Sequence, residues 1–213
     1  MSWTLFLLLV KASGLTVAIS AIAIVIGLTL GMVVSAGMLS PNLLLSMPSR
    51  VFVSFFRGVP LLVQLLLIYN LLPLLGLNVP SVVAAVAGLS LCTAAYQAEN
   101  LRGGFLSVPR GVVEAADMAG FRPFQLFWRI RVPIAFKLTL PALVSEAIMI
   151  LKSSSLVSVV GVVELTRMAQ DLASSTYKPL DLYAAAGGLY LAINWLMAGL
   201  GRLLERRLRW GRA

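Results

Sequence analysis

The chain has 213 residues, 60% of them hydrophobic and 12% charged, with a formal net charge of +9 at pH 7. A soluble domain of this length carries about twice that charge fraction, so the composition excludes an ordinary soluble fold and points to a bilayer. The basic residues sit in short segments between apolar runs, which makes them a topology signal and excludes nucleic acid as their partner.

The elements follow in chain order. Residues 3–10 are apolar and run into Lys11 without a basic leader or a small-residue cleavage pattern. They read as a short interfacial helix, not a signal peptide. Residues 15–39 carry no charge and exceed the roughly 20 residues that a spanning helix needs. Pro41, Asn42 and Pro48 break that run. Residues 59–75 form a second span, kinked at its start by Arg57-Gly58 and Pro60. Residues 79–98 form the third. A basic loop covers about 102–137, and residues 138–160 form a fourth span that contains Glu146 and Lys152. Residues 161–175 suit a short amphipathic helix on the external side. Residues 182–204 form a fifth span, whose end carries Arg202 and runs into Arg206, Arg207, Arg209 and Arg212. The expected fold is an all-α membrane protein of about five spans, one domain over residues 1–213.

Five spans put the termini on opposite sides. If the C-terminus is cytoplasmic, thirteen of the seventeen Lys and Arg residues lie inside. The positive-inside rule therefore places the N-terminus outside and the 102–137 loop in the cytoplasm. Histidine is absent and Cys92 is the single cysteine, so the sequence offers no intrachain disulfide and no His-based metal or acid–base site. No catalytic group and no metal site are expected.

The loop is the most ordered polar stretch. Pro109-Arg110-Gly111 is a turn, and residues 112–119 read as a helix of about two turns. Ala115 and Ala119, and Ala116 and Gly120, are four apart and share a small-residue face. Glu114 and Asp117 lie near the helix start, where the dipole favours carboxylates. Gly120 suits the C-cap and Pro123 the first position of the next helix. Phe124, Phe127, Trp128 and Arg131 follow at helical spacing and are expected to pack against the bundle. This pattern fits either a docking surface for another protein or a plain helical hairpin.

Ionisable groups at membrane depth cost several kcal/mol unless paired or wet, so they mark a pathway. Glu146 and Lys152 are six apart and do not pair along one helix. Glu146 faces either an interhelical partner such as Arg57 or the cation of a substrate. Lys152 with Ser153, Ser154 and Ser155 makes a polar patch toward the outer end of the fourth span. Glu99 and Arg102 are three apart and are expected to pair locally. Gly27 and Gly31 read as close helix packing. Trp195 and Trp210 suit packing or interface roles.

Several stretches together carry a resemblance. They are Glu114-Ala115-Ala116, Gly120 and Ile130-Arg131-Val132-Pro133; Arg57-Gly58-Val59-Pro60-Leu61-Leu62-Val63-Gln64; Ala95-Tyr96-Gln97-Ala98-Glu99; and Lys152-Ser153-Ser154-Ser155-Leu156. In order and spacing they resemble the permeases of ATP-binding-cassette (ABC) importers, polar amino-acid uptake branch, over about half the chain. The first set is similar to that family's Glu-Ala-Ala loop. Departures are Val112, Pro133-Ile134, Ser153-Ser154 and Glu146, where the branch usually has other residues; they leave substrate identity open.

The resemblance implies a type I importer permease in the bacterial cytoplasmic (inner) membrane. Glu114, Ala115, Ala116, Gly120 and Phe121 would form the helix that couples to a cytoplasmic ABC ATPase dimer. Arg57, Glu146, Lys152, Ser154 and Ser155 would line the substrate route. A second permease, identical or homologous, and an extracytoplasmic solute-binding protein are implied as partners. The chain lacks a Gly-Lys dipeptide and so any phosphate loop. It is therefore expected to be no enzyme, with no cofactor of its own and ATP and Mg held by the partner ATPase. An ion-coupled secondary transporter is the alternative, but its expected inverted repeats are not seen.

Overall fold

Nothing between Trp3 and Leu39 breaks a helix, and these residues form one helix, α1 (Trp3–Leu39), in a computed structural model that describes residues 2–208. At 1.5 Å per residue α1 is about 55 Å long, well over the ~30 Å of a hydrocarbon core. The separate interfacial helix expected at 3–10 is absent. Lys11, Ala12 and Ser13 offer no stop signal, so the helix propagates through them. Trp210, Arg209 and Arg212 lie outside the described residues.

The buried face of α1 is a stripe of mostly small residues, Ala12, Thr16, Ser20, Ala23, Gly27 and Gly31, with Leu9 and Ile19 the large side chains among them. Large apolar residues such as Ile22, Val25 and Val33 face outward. In lipid there is no hydrophobic gain from hiding Val, so close backbone approach decides which face is buried. The stripe packs on α4 (Ser81–Leu106), itself lined with Ala84, Gly88, Ala94, Ala95 and Ala98. A Cβ on Gly27 would stand 2.5 Å from Thr93 Cβ, and one on Gly31 2.9 Å from Gln97 Cβ. Both glycines are spent on packing within the chain.

Between these helices lie α2 (Leu43–Gly58) and α3 (Leu61–Leu74), which meet at a bend of 108°. Asn42 caps α2 by accepting the Leu44 N–H. At the bend, the last carbonyls of α2 lose their helical donors. Gln64, almost fully buried, donates its amide to Phe56 O at 2.8 Å and Val59 O at 2.7 Å. The kink expected near Pro60 is therefore a sharp, stitched corner.

After α4 come two short helices, α5 (Arg110–Met118) and α6 (Pro123–Leu126). A π-helical turn (Phe127–Arg131) leads into α7 (Val132–Ser153), where the Val132 N–H reaches back five residues to Phe127 O. Pro133 cannot donate to the carbonyl four residues back, and the widened turn absorbs that loss. A 3-10 turn (Ser154–Val160) ends this run, followed by α8 (Leu165–Thr176) and α9 (Pro179–Leu208). Four runs are long and apolar enough to span: α1, α4, Pro123–Val160 and α9; the bent pair makes five. No strand occurs among the described residues.

Three elements meet at Glu164. Its fully buried carboxylate caps α8 by accepting the Thr166 and Arg167 N–H groups, each at 2.9 Å. It also accepts the Tyr190 hydroxyl of α9 at 2.8 Å and that of Thr16 from α1 at 3.4 Å. Burial pushes this carboxyl above the usual carboxylate range, and the four hydrogen bonds pull it back.

Gly27→Leu is expected to destabilise the fold by about 1–3 kcal/mol through overpacking. Gly14→Leu, where an added Cβ meets nothing within 4 Å, should cost little. Melting of the two purified variants in detergent checks the difference.

Candidate functional site

Two places gather the residues that the sequence singles out. The first is the hairpin between α4 and α7. The expected loop at 102–137 is shorter in fact, because α4 runs on to Leu106 and the helical run toward α7 begins at Pro123. Within it α5 stops as Gly120 anticipates. Gly120 adopts φ +78°, its N–H donates to Asp117 O at 3.0 Å, and the Phe121 N–H donates to Ala116 O at 3.1 Å. This double bond pattern closes the helix and needs a left-handed residue.

The small face divides in two. Ala116 turns inward and is buried, while Ala115, Ala119, Gly120 and Glu114 are exposed. A helix with an outward face of alanine and glycine lets another surface come close. The aromatic stripe behaves differently from expectation. Leu126 turns inward and Phe127 stacks on Phe105 of α4 at 5.8 Å, but Phe124 and Trp128 remain 74% and 55% exposed. Phe124 and Trp128 stay paired with each other, ring centroids 6.3 Å apart, and both face outward.

The second place is a cavity of about 360 Å³ between the α2–α3 corner, α4 and α7. Its wall includes Arg57, Cys92, Tyr96, Glu146, Met149 and Ser153. The corner puts Arg57 there, since it is in the last turn of α2. Its guanidinium lies 5.3 Å over the Tyr96 ring, and its Nη1 is 4.0 Å from Glu99 Oε2. Glu99 is already held by Arg102, whose Nε is 3.2 Å from both carboxylate oxygens and whose Nη2 bonds Oε1. The local Glu99–Arg102 pair is thus present, with Arg57 added at its edge. Glu146 is only 6% exposed, and its Oε1 has no hydrogen-bond partner among the described residues. A buried carboxylate oxygen without a donor, on a residue that lines a cavity, marks a place where a polar partner is missing.

The structure brings Arg57 and Glu146 together and leaves Lys152, Ser154 and Ser155 elsewhere. Lys152 lines a different groove, between α7 and α9, with Asn194 and Trp195. The Ser154 hydroxyl is buried and donates to Leu151 O, and that of Ser155 donates to Lys152 O. Ser153 is the serine that faces the cavity. Sequence reasoning missed Tyr96 and Cys92 as wall residues, and it grouped Ser153 with Lys152 instead of with Glu146. Helical phase could have found Ser153 and Ile150, which stand seven and four residues beyond Glu146. Among the described residues no cluster suited to a metal occurs.

A family model described as "Binding-protein-dependent transport system inner membrane component" matches residues 23–210. The chain is 36% identical to the octopine transport system permease protein OccM of Rhizobium meliloti, over 95% of this chain and 86% of the relative. It is 34% identical to the histidine/lysine/arginine/ornithine transport system permease protein HisM of Salmonella typhimurium, over 87% and 83%. With the arginine transport system permease protein ArtQ of Bacillus subtilis it shares 33%, over 94% and 92%. Among solved structures, a crystal structure of an amino acid ABC transporter with histidines matches at TM-score 0.89 and 34% identity, covering 94% of each chain. The inward-facing MetNI methionine ABC transporter shares the fold, at TM-score 0.83 and 21% identity over 98% of this chain and 99% of that one.

In a Cys92→Ala background, Ser153→Cys is expected to react with a small methanethiosulfonate reagent several-fold faster than Ser154→Cys. Equal rates would mean that the cavity is closed to water.

Proposed function

The chain belongs to the family of binding-protein-dependent transport system inner membrane components and is a permease subunit of an ABC importer; from that premise we propose that it carries a polar, cationic amino acid or derivative through the Glu146 cavity. The observation that carries this reading is the buried Glu146 carboxylate, whose Oε1 lacks a hydrogen-bond donor, on the wall of a cavity large enough for a small molecule. An ammonium or guanidinium supplies the donor that this oxygen lacks. The relatives named for arginine, lysine, ornithine and octopine transport favour the same ligand class.

Energy enters elsewhere. A separate cytoplasmic ATPase dimer, which holds ATP and Mg, docks on α5 through Glu114, Ala115, Ala119, Gly120 and Phe121, while Ala116 anchors α5 to its own bundle. Closure of the ATPase pushes α5 of this chain and of a second, identical or homologous permease together. The α4–α7 frame then tilts between inward-open and outward-open states, and a loaded extracytoplasmic binding protein biases the same equilibrium. The proposed orientation in the bacterial inner membrane has α5 and the C-terminal arginines in the cytoplasm and α8 outside, as the basic residues favour. On this orientation Lys152 lies toward the outer end of its span, a candidate for first contact with a substrate carboxylate.

Ala119→Trp should abolish uptake and release the ATPase while the permease still melts as wild type, because Ala119 is exposed and lies outside the bundle. Uptake at wild-type rate would remove α5 from the coupling role. Glu146→Gln should weaken transport of cationic substrates at least tenfold, about 1.4 kcal/mol, and neutral ones much less. Competition assays in proteoliposomes with the binding protein and ATPase present separate the two classes.

A further inference from the structure

Four aromatic rings form a continuous chain from the bundle to the outside of the hairpin. Phe105 of α4 stacks on Phe127 at 5.8 Å. Phe127 meets Trp128 edge-on at 5.4 Å, and Trp128 lies 6.3 Å from Phe124. The inner end of this chain is rooted on α4, while the outer end, Phe124 and Trp128, is largely uncovered. Lipid does not account for the bare end. The fourth apolar run begins at residue 138, ten residues after Trp128, with Arg129, Arg131 and Lys137 between. Ten helical residues rise about 15 Å, against a headgroup layer of roughly 5–7 Å. The ring pair therefore stands in the aqueous phase, where an exposed apolar patch marks a contact with protein. It is continuous with the α5 face, since α5 touches both α6 and the π-helical turn that carry the rings. Arg122 and Arg129 bracket the pair in sequence, are exposed, and enter no ion pair among the described residues.

We propose that Phe124 and Trp128 are a second footing for the ATPase, an aromatic anchor that supplies most of the binding strength, while the small face of α5 transmits movement. Alanine and glycine let a partner come close but bury little apolar surface; two large rings bury far more. Tryptophan beside arginine is the composition of a binding hot spot. The ring chain holds the pair in place before the partner arrives, which lowers the entropy lost on docking. The matching surface is an apolar pocket rimmed by carboxylates for Arg122 and Arg129. Because the chain ends on Phe105, the anchor ties the partner to α4 without passing through α5. The identity of the partner rests on the reading that the ATPase docks on α5.

The test titrates the ATPase onto the permease held in nanodiscs. Trp128→Ala should weaken binding at least tenfold and Phe124→Ala several-fold. Both variants should melt as wild type, because the rings are exposed. Unchanged affinity in both overturns the anchor, and Phe124→Ala decides alone if Trp128→Ala does not fold. Uptake in proteoliposomes should fall at limiting ATPase and recover as the ATPase is raised. Failure to recover would make the rings part of the transmission and overturn the division of labour. A bimane label on Phe124→Cys, in a Cys92→Ala background, should shift to shorter wavelength when the ATPase is added. Quenching of that label by brominated lipid before the addition would put the rings in the bilayer and refute the proposal. Ala119→Trp run in parallel separates the two ideas. If it releases the ATPase while the ring variants do not, only the anchor is wrong. If it leaves binding and uptake intact while Trp128→Ala weakens binding, the reading of α5 falls and the anchor alone survives.

Discussion

The corner between α2 and α3 depends on one side chain. A chain that turns through 108° at membrane depth exposes carbonyls that lipid cannot satisfy, each at a cost of several kcal/mol. Gln64 reaches back across Pro60 and donates to two of them. Without that amide the corner has no inexpensive form, and a straighter α2–α3 would carry Arg57 away from Tyr96 and Glu146. The cavity is therefore a consequence of how the backbone is satisfied at the bend. The same stretch, from Arg57 to Gln64, thus contains both the charged wall of the site and the residue that holds the wall in place.

Around the corner the framework is built by approach, not by hydrophobic contrast. α4 is flanked on one side by Gly27 and Gly31 of α1 and on the other by α7, where Gly104 admits the Thr139 side chain. At these distances dispersion contacts are numerous and no polar cost is paid, which is the favourable term left to helices in lipid. The buried polar side chains obey the complementary rule. Thr16, Ser20, Thr93 and Thr139 each return a hydrogen bond to a carbonyl of the turn before. Glu164 goes further and ties α1, α8 and α9 with a single carboxylate. Among the described residues, buried polar atoms of Ser35, Gln64, Ser90, Gln97 and Asn194 also lack a partner, and Glu146 differs from them in being a carboxylate on the wall of the Arg57 cavity.

Much of this was legible in the residues. Apolar runs located the spans, because a bilayer admits few backbone solutions, but the helices overrun them: α1 starts twelve residues before position 15 and α4 ends eight after position 98. Gly120 announced the end of α5, since only a left-handed residue closes a helix in that way. The pairing of Glu99 with Arg102 followed from spacing along one helix. What failed was of another kind. The N-terminal interfacial helix was inferred from a charge, Lys11, that an overlong helix simply carries along. The aromatic stripe keeps its helical spacing, but its Phe124–Trp128 pair turns away from the bundle, a choice of face that spacing does not fix. The serines after Lys152 look like one patch in sequence, although successive residues point in different directions and Ser153 is the one of them on the cavity wall. Contacts between distant helices, such as Tyr96 under Arg57, leave no periodic trace and need the fold to be seen.

The two halves of the site differ in how firmly they are held, and that difference suits an importer. The cavity is walled by helices that touch at their closest along α4, so its shape changes only when whole helices move. α5 is tied to the bundle chiefly through Ala116, with its remaining small residues outside. A push on such a helix is not absorbed by local repacking, because it has little packing to rearrange. It passes instead to the ends of α4 and α7, which meet where Phe105 stacks on Phe127. These two helices also carry Tyr96 and Glu146. Displacement at one end of the α4–α7 pair must therefore alter the spacing of the cavity wall at the other. The proposed coupling helix α5 and the candidate binding carboxylate are thus connected through α4 and α7, with short turns of three and four residues at either end of α5.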